Sequence, residues 1–325
     1  DKIDIAYRLI KAVLFKGASP LAVAWSLTNK CNLNCIYCGH HALDPGPELK
    51  TTEIFSIIDD LKLLGTKMIS FTGGEPLLRE DIKEIVDYTY KSGIRAGINT
   101  NGVLFKEKIE ALNNLRSINF SLDGPEEIND FLRGKGVFKK VIESIKIALE
   151  KGMRVSIVTV LNKYNLSCVD YLVGLAKESG ITVLFQPVTK TLLRTEIDNP
   201  HVPEEGEYKK AIDRIIELKK QNKPVSNTFR GLIYLRNWPK GSKVTCYGKN
   251  ISCKIEADGY LCRCGRDRNK DRALYCPAGG LEKSFKKLTL VSCNDCWCAL
   301  RLEANYIASF DIGVILSHYQ AINGT

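Results

Sequence analysis

Short apolar runs alternate with longer segments of helical periodicity between Ala22 and Val188. The strand candidates are residues 22–27, 68–72, 95–99, 117–122, 154–160 and 181–187. Helical patterns separate them at residues 52–64, 79–92, 105–114, 137–151 and 168–179, and several end at a glycine suited to close a helix: Gly65, Gly93, Gly152 and Gly180. Because strand and helix alternate, the pattern predicts a parallel sheet.

Six strand and helix units are fewer than the eight that close a barrel. We therefore predict an α/β fold, a partial (β/α)6 TIM-like barrel that is open on one side, with a smaller Cys-rich domain at its C-terminal end. The nearly continuous apolar strands predict a sheet buried on both faces. Active-site groups are expected at the C-terminal ends of the strands.

After Pro187 the pattern changes, and a domain boundary is predicted between Asn222 and Cys246. The predicted units are an N-terminal helix at 1–19, the barrel at 20–200, a helical linker at 201–245 and a Cys-rich domain at 246–325. Further helices are predicted near residues 204–222, 228–236 and 300–321. The sequence Asp258-Gly259 predicts a hairpin with a tight primed turn.

The composition is that of a globular protein, with 44% hydrophobic and 26% charged residues among 325. The net charge of +10 is spread along the chain, so no nucleic-acid partner is expected. We find neither a long apolar span nor a signal peptide pattern, and expect a soluble, cytoplasmic protein. The stretch IAYRLIKAVLF could lie on a membrane or hold a lipid-like substrate, but we favour packing across the barrel mouth.

Eleven of the twelve cysteines fall into two groups, and the isolated Cys168 is interpreted as a small core residue. In a chain without a secretion pattern, such spacing favours metal or cluster ligation over disulfides. The first group, Cys31, Cys35 and Cys38, has the form C-x3-C-x2-C directly after the first strand. Three thiolates on one loop can hold an iron–sulfur cluster, whereas structural zinc needs a fourth ligand such as His40 or His41.

This loop, with Tyr37 before its last cysteine, resembles the signature of the radical S-adenosylmethionine (SAM) superfamily. The resemblance implies a four-iron cluster whose open iron is chelated by the amino and carboxylate groups of SAM. It also implies reductive cleavage of SAM to a 5′-deoxyadenosyl radical that takes a hydrogen atom from the substrate. The segment Gly73-Gly74-Glu75-Pro76 follows the second strand, where the family holds the methionyl amino group.

Other positions are carried over from the family as cofactor-binding candidates. They are Asn99, Thr100 and Asn101 after strand three, Ser121 and Asp123 after strand four as ribose partners, Arg133 in FLRGKGVF as a carboxylate partner, and Asn162 and Gln186 after strands five and six. Each is also an ordinary turn or strand-end residue type.

Eight cysteines lie within the 53 residues from Cys246 to Cys298. Cys246, Gly259 and Cys264 give C-x12-G-x4-C, and the pair Cys293 and Cys296 adds C-x2-C. This resembles the auxiliary-cluster domains called SPASM and twitch, which implies one auxiliary four-iron cluster on Cys246, Cys264, Cys293 and Cys296. A second cluster would use the remaining cysteines of this group, which are Cys253, Cys262, Cys276 and Cys298.

The resemblance implies a radical SAM enzyme that modifies a peptide or protein. Radical oxidation or coupling of a small-molecule or lipid-like substrate is the alternative within the family. A non-catalytic iron–sulfur electron carrier and a zinc-binding nucleic-acid protein are the rivals from other classes. The resemblance also implies an electron donor such as flavodoxin or ferredoxin. No catalytic acid, base or radical relay residue is predicted.

Overall fold

The computed structural model describes residues 7–11, 19–40, 46–192, 197–241, 244–248, 250–265, 273–274, 280–288 and 296–323. Its strands are β1 (Ala22–Thr28), β2 (Met68–Gly73), β3 (Arg95–Thr100), β4 (Ser117–Ser121), β5 (Val155–Leu161), β6 (Thr182–Pro187), β7 (Ser252–Ile255), β8 (Tyr260–Cys262) and β9 (Ala273–Leu274). Its helices are α1 (Thr51–Leu63), α2 (Ile82–Lys91), α3 (Phe105–Lys108), α4 (Glu126–Arg133), α5 (Val137–Glu150), α6 (Val169–Glu178), α7 (Glu205–Lys220), α8 (Phe229–Leu235), α9 (Gly280–Lys287), α10 (Ala299–Ala308) and α11 (Ile312–Asn323). Residues 7–11 are also helical.

The first six strands are parallel neighbours, as predicted, in one sheet of order β6-β5-β4-β3-β2-β1-β7-β8-β9. Each predicted strand agrees with an observed one to within a residue. The four glycines expected to end helices all have positive φ, between 67° and 84°. The α/β class and the partial barrel are confirmed, since consecutive parallel strands are joined through helices.

The two faces of this sheet differ in polarity, although β1 and β6 each have consecutive buried residues and so are buried on both faces as predicted. One face carries large, fully buried side chains in register, including Phe71 opposite Ile98 and Phe120 opposite Ile157. Side chains alternate along a strand, so the intervening positions line the other face. There Asn99 lies opposite Asn119, and both are only partly buried. The sheet thus has an apolar face in the core and a polar concave face.

The sheet continues across the predicted domain boundary. Strand β7 pairs in parallel with β1, with Ala22 opposite Ser252, so the Cys-rich hairpin extends the barrel sheet. The preceding segment also packs on the barrel, because the side-chain amide of Asn227 bonds to both the N–H (2.8 Å) and C=O (2.9 Å) of Phe185 on β6. Residues 225–227 therefore cover the outer edge of β6 in the way a strand would.

Several predicted elements differ from the structure. The helix expected at 300–321 is two helices, because Phe310 takes φ of 56° and the side chain of Asp311 accepts the N–H of Val314 to start α11. The helix expected at 105–114 is the single turn α3 followed by a 3₁₀ turn. Helices α4 and α9 were not predicted, since both are short and rich in charged residues.

The hairpin at Asp258-Gly259 is confirmed, but its turn is not the primed type. The N–H of Gly259 bonds to the carbonyl of Glu256 at 2.9 Å, and only Gly259 has positive φ, at 79°. A primed type I′ turn needs positive φ at both central residues. The connection is therefore an ordinary turn followed by one left-handed glycine, the arrangement of three-residue hairpin loops.

Candidate active site

The three cysteines of the first group lie on the loop that leaves β1 at the C-terminal edge of the sheet. Cys35 interacts electrostatically with Cys31, and Cys38 with Cys35. Burial raises the pKa of all three thiols, so they stay protonated until a metal displaces the protons. The predicted trio is therefore brought together on one partly buried loop.

Gly73 and Gly74 let the end of β2 approach this loop. The N–H of Gly74 bonds to Thr28 and that of Glu75 to Lys30, at 2.9 and 2.8 Å. A Cβ on Gly74 would lie 2.0 Å from the carbonyl oxygen of Lys30, and one on Gly73 2.3 Å from that of Thr28. The glycines of the motif are required here because two backbones meet just before Cys31.

Glu75 braces the ends of two strands from a fully buried position. Its carboxylate accepts from the hydroxyl of Thr100 (2.8 Å), the N–H of Asn101 (2.7 Å) and the N–H of Leu77 (3.0 Å). Burial nonetheless raises the pKa of Glu75 to about 7, against these donors. A carboxylate has about four acceptor positions, so one remains for the ammonium group that the motif is expected to hold.

Asn101 links Glu75 to Cys31, the first cysteine of the loop. Its side-chain amide donates to Asn32 at 2.7 Å and it also hydrogen-bonds to Cys31, which lowers the pKa of that thiol against the effect of burial. Thus Glu75, Asn101 and Cys31 form one connected group. Its members come from three separate parts of the sequence.

A second buried group supports the middle of the loop. The hydroxyl of Tyr37 donates to Asp123 at 2.6 Å, and Nε of Arg133 lies 2.7 Å from the same carboxylate oxygen. All three side chains are at most 6% exposed. Burial works to lower the pKa of Arg133, but the charges of Asp123, Tyr37 and Cys35 and the bond to Asp123 together outweigh burial, so the pKa lies above its ordinary value. Arg133 also lowers the pKa of Cys35, against the effect of burial.

Asp123, which is predicted to hold ribose, belongs to this group. Its other carboxylate oxygen accepts the N–H of Val160 at 3.0 Å, and none of its surface is exposed. Asn162 is similarly committed, because its amide bonds to the N–H of Tyr164 and the carbonyl of Val160. Both residues shape the loops around the site.

The remaining predicted positions lie on the concave face. Asn99 donates to Ser70 and accepts from Asn119, each at 2.9 Å, which forms a row of polar side chains across β2, β3 and β4. Ser121 and Gln186 occupy the same face at the ends of β4 and β6, and both are partly buried. These positions are available to a molecule bound inside the barrel.

Three further residues hold the loop and were missed by sequence reasoning. Glu48 accepts from the hydroxyl of Thr28 at 2.6 Å and from the N–H of Asn29, and Arg79 donates to the carbonyl of Leu27. Asn199, far along the chain, donates to the carbonyl of Tyr37 at 3.0 Å. No local pattern marks them, since each acts on a distant backbone.

In the second Cys region, Asn305 of α10 connects two of the predicted ligands. Its amide donates to Sγ of Cys296 at 3.6 Å, and its carbonyl accepts the N–H of Tyr247, next to Cys246, at 2.9 Å. Cys264 follows β8, at the end of the same hairpin. Cys293 lies outside the described residues, so the complete ligand set stays a prediction.

The cysteines predicted for a second auxiliary cluster are less well placed. Lys254 lies opposite Cys262, so Cys253 and Cys262 point to opposite faces of the hairpin. Cys253 is fully buried, which raises the pKa of its thiol to about 12. Cys298 is exposed, and Cys276 lies outside the described residues. This arrangement argues against one cluster shared by Cys253 and Cys262.

The donors at the first site fit an iron–sulfur cluster. Three neighbouring thiols lie on one loop, a side-chain amide bonds to one of them, and a buried guanidinium lies beside another. Among the described residues, no three His, Cys, Asp or Glu side chains have an arrangement that could hold a single metal ion. His40, one of the residues considered for zinc, is buried beside Gly74, and His41 lies outside the described residues. The ten cysteines that the structure describes are all free thiols, and Cys168 is buried as predicted.

The fold and the site together define a class: a partial α/β barrel with a three-thiol loop at the carboxyl edge of its first strand. The family model of the "Radical SAM superfamily" matches residues 25–176. This segment, which contains the three thiols and the Glu75 brace, belongs to that superfamily. The predicted resemblance is confirmed for this segment. Members of the superfamily use a four-iron cluster and SAM.

Two relatives illustrate the range of proteins similar to this chain. Fe-coproporphyrin III synthase of Methanosarcina barkeri is 34% identical over 209 residues, which cover 62% of this chain and 52% of that protein. Mycofactocin maturase MftC of Mycobacterium ulcerans is 31% identical over 183 residues, covering 54% of this chain and 49% of that protein. The chain thus spans about half the length of these curated relatives.

Solved structures show the same fold over most of the chain. Native anSMEcpe with bound AdoMet has a TM-score of 0.68 at 16% identity, covering 92% of this chain and 100% of that chain. Streptococcus suis SuiB bound to precursor peptide SuiA has a TM-score of 0.67 at 16% identity, covering 87% of this chain and 68% of that chain. No helix in the described part of the chain is both long and apolar enough to cross a membrane.

Proposed function

We propose that this protein cleaves SAM reductively and uses the resulting radical to abstract a hydrogen atom from a peptide. The observation that carries the proposal is the braced Cys31 loop within the segment that matches the superfamily. When bound, the cluster and SAM supply a 5′-deoxyadenosyl radical. A cluster of this kind is oxygen-sensitive, so we also propose that the protein works in a reducing, cytoplasmic setting.

The chain's own residues bind and orient these groups. Cys31, Cys35 and Cys38 would hold three irons and leave the fourth for SAM. Glu75 would accept from the ammonium group of SAM with its remaining acceptor position. Arg133, already beside Cys35, would attract the SAM carboxylate.

The concave face offers the rest of the binding surface. Asn99, Ser121 and Gln186 present amide and hydroxyl groups that suit ribose and adenine. Ser121, which is partly exposed on this face, is a ribose partner beside Asp123, whose carboxylate keeps one acceptor position after the N–H of Val160, the hydroxyl of Tyr37 and Nε of Arg133.

Support for a peptide substrate comes from similar proteins. MftC is named a maturase, and SuiB and anSMEcpe were solved with peptides bound. The second candidate is a small-molecule substrate of tetrapyrrole type, because two relatives at 34% identity are a coproporphyrin synthase and a heme synthase. A non-catalytic electron carrier would not cleave SAM at all.

We further propose one auxiliary four-iron cluster on Cys246, Cys264, Cys293 and Cys296. Asn305 supports it, since this buried side chain ties the Cys246 segment to Cys296. A cluster with four thiolate ligands has no open iron, so it would accept an electron or anchor the substrate.

The first experiment removes the radical-generating site. Replacing Cys31, Cys35 and Cys38 together with Ala should lower the iron content by about four per chain and abolish 5′-deoxyadenosine formation under anaerobic reduction. Cys168→Ala is the control, because that buried cysteine belongs to neither cysteine group of the sequence. Mössbauer iron counting on the triple variant should find about four irons for one auxiliary cluster or about eight for two. Continued SAM cleavage by the triple variant would refute the proposal.

The second experiment separates the substrates. The reconstituted protein is incubated with SAM, reductant and either a peptide library or iron coproporphyrin III, and the products are analysed by mass spectrometry. A peptide product with a mass lower by two hydrogens, formed with stoichiometric 5′-deoxyadenosine, supports peptide modification. Turnover of the porphyrin alone would assign the small-molecule function instead.

A further inference from the structure

We propose that the edge of the barrel opposite the Cys31 loop binds the phosphate group of a small molecule, in a cleft between the loops that lead into β4 and β5. This site, the basic cleft, is built on Arg116, Lys151 and Arg154. It lies apart from the proposed reaction, because strands of five to seven residues separate the two edges of the sheet. Binding there requires neither the cluster nor SAM.

Positive charge gathers at this edge because the strands are parallel. The loops that lead from a helix into the next strand contain four cations and no acid. They are residues 64–67, 92–94, 112–116, 151–154 and 179–181. The six connections at the opposite edge contain six cations and nine acids. They are residues 29–50, 74–81, 101–104, 122–125, 162–168 and 188–204. The fold therefore brings together cations that lie far apart in the sequence.

The acids near this edge do not cancel that charge. The last turns of the preceding helices contain four acids, Asp60, Glu110, Glu150 and Glu178, and four lysines, Lys62, Lys91, Lys108 and Lys177. Asp87, one turn before the end of α2, pairs with Lys83 and accepts the amide of Asn114 at 2.7 Å. Arg95, the first residue of β3, adds one more exposed cation. The positive charge of the loops is thus in excess.

The cleft itself lies between the loops 112–116 and 151–154 and has a volume of about 210 Å³. The sheet holds the backbone of both arginines. The N–H of Arg116 donates to the carbonyl of Ala96 at 2.7 Å, and the carbonyl of Arg154 accepts the N–H of Ile118 at 2.8 Å. Both side chains therefore start from fixed points on neighbouring strands.

The two guanidinium groups are available to a ligand. Arg116 and Arg154 are exposed, and neither side chain has an ion pair or hydrogen bond within the part of the chain that the structure describes. Lys151 differs, because it pairs with Glu110 at 2.9 Å. Arg214, an exposed arginine elsewhere, binds Asp170 at 2.6 Å. The cleft thus keeps two uncompensated guanidinium groups side by side.

A compact anion with several charged oxygens suits this arrangement. Guanidinium groups bind phosphate oxygens through two parallel hydrogen bonds. The cleft, at about 210 Å³, is smaller than the pockets of about 300 Å³ or more that enclose a whole drug-sized ligand. None of the described residues that line it is aromatic, so it offers no ring on which a nucleic-acid base could stack. These features favour a phosphate or diphosphate group of a small molecule over a nucleic acid.

The test uses inorganic pyrophosphate and inorganic phosphate as probes. Their binding to the reconstituted protein is measured by calorimetry, and thermal unfolding confirms that each variant folds. The variants are Arg116→Gln, Arg154→Gln, the two combined, and the combined Arg116→Lys and Arg154→Lys, which keeps the charge without the planar fork. Lys283→Gln combined with Lys287→Gln is the matched control, because it removes two exposed charges from α9. Heat from chelation of iron by pyrophosphate would be the same in all variants.

We expect each single Gln variant to raise the Kd for pyrophosphate about tenfold, and the combined variant about a hundredfold. The combined Lys variant should raise it about tenfold, and the α9 control should stay within about twofold. Absence of saturable pyrophosphate binding at millimolar concentration would overturn the proposal, as would equal weakening in the α9 control. Binding of a single-stranded oligonucleotide that weakens in the Arg116 and Arg154 variants, without binding of pyrophosphate, would also overturn it and make this edge a nucleic-acid surface.

Discussion

The two cysteine groups of this protein are positioned by different means. The Cys31 loop leaves a central strand and is held by the ends of its neighbours, through Glu75, Asn101 and Asp123. The described part of the second group is spread over a hairpin and a helix entry. Two side chains of α10 connect these segments: Asn305 bonds to the Cys246 segment and to Cys296, and Arg301 donates to Ser252 of the hairpin at 2.7 Å.

The two sites therefore differ in the contacts that hold them in place. Around the Cys31 loop, backbone hydrogen bonds and a buried ion pair fix each part of the chain independently. In the described part of the second region, side chains of α10 connect the segments, and a cluster bound across them would itself contribute to their assembly. The predictions below test this contrast.

The largest effect is expected from Asp123→Asn. The substitution leaves the Arg133 guanidinium buried without its anion, and breaking a buried pair in this way costs about 3 to 5 kcal/mol. Urea unfolding monitored by fluorescence measures the loss. The matched control is Asp170→Asn, which breaks an exposed pair with Arg214 and should cost less than about 1 kcal/mol. Equal losses in the two variants would contradict the bracing role of Asp123.

The second prediction concerns pH and Glu75. Because burial raises its pKa from 4.5 to about 7, the folded state holds a proton that the unfolded state has released at intermediate pH. The stabilisation is complete below the unfolded pKa and is lost as pH rises through about 7. The wild type should therefore lose about 2 kcal/mol relative to Glu75→Gln between about pH 5.5 and 8.

This is checked by urea midpoints at several pH values for both proteins. Parallel pH curves for the wild type and Glu75→Gln would show that Glu75 does not titrate in this range. An opposite slope would mean that its three donors outweigh burial.

The third prediction addresses the second region. Asn305→Leu removes the acceptor of the Tyr247 N–H and the donor to Cys296, and should cost about 1.5 kcal/mol. Its effect on iron content should be more specific. The iron bound by the second cysteine group should fall, while the cluster at Cys31 and SAM cleavage persist. Mössbauer spectra measure both. Asn237→Leu, which changes an exposed amide, should alter neither, and loss of the Cys31 cluster in Asn305→Leu would remove the contrast between regions.

The smallest effect is expected at the hairpin. Gly259→Ala forces a side chain into φ of 79° and places its Cβ 3.0 Å from a methyl group of Leu49. The expected cost is about 1 kcal/mol in thermal or urea unfolding, and Gly259→Asn should cost less, since Asn tolerates this conformation. If Ala is tolerated as well as Asn, the hairpin loop differs from the one described.

Sequence reasoning placed the first site well because its parts follow strands in a repeating order. The strand ends of a parallel sheet meet at one edge, so Cys31, Glu75 and Asn101 could be expected at one place, whereas Arg133 was assigned through the family resemblance. What it missed is equally specific. Glu48, Arg79 and Asn199 act on carbonyls and N–H groups of distant backbone, and such contacts leave no periodic pattern.

The roles of single side chains needed the structure. Asp123 and Asn162 carry groups that suit a ligand, yet both are buried and engaged in loops. The pairing register likewise places Cys253 and Cys262 on opposite faces of the hairpin, although both belong to the cysteines that remained for a second cluster.

The sequence by itself determined the alternation of strands and helices. It also determined that the thiols lie at the carboxyl edge of the sheet, and which three cysteines form the first site. These follow from local periodicity and short spacing, which the chain carries within a few residues. Only the tertiary structure decided that the Cys-rich hairpin continues the barrel sheet beside β1, and that the Asp123 carboxylate holds Tyr37 and Arg133. Both depend on contacts between residues far apart in sequence, where packing and burial select one partner among many.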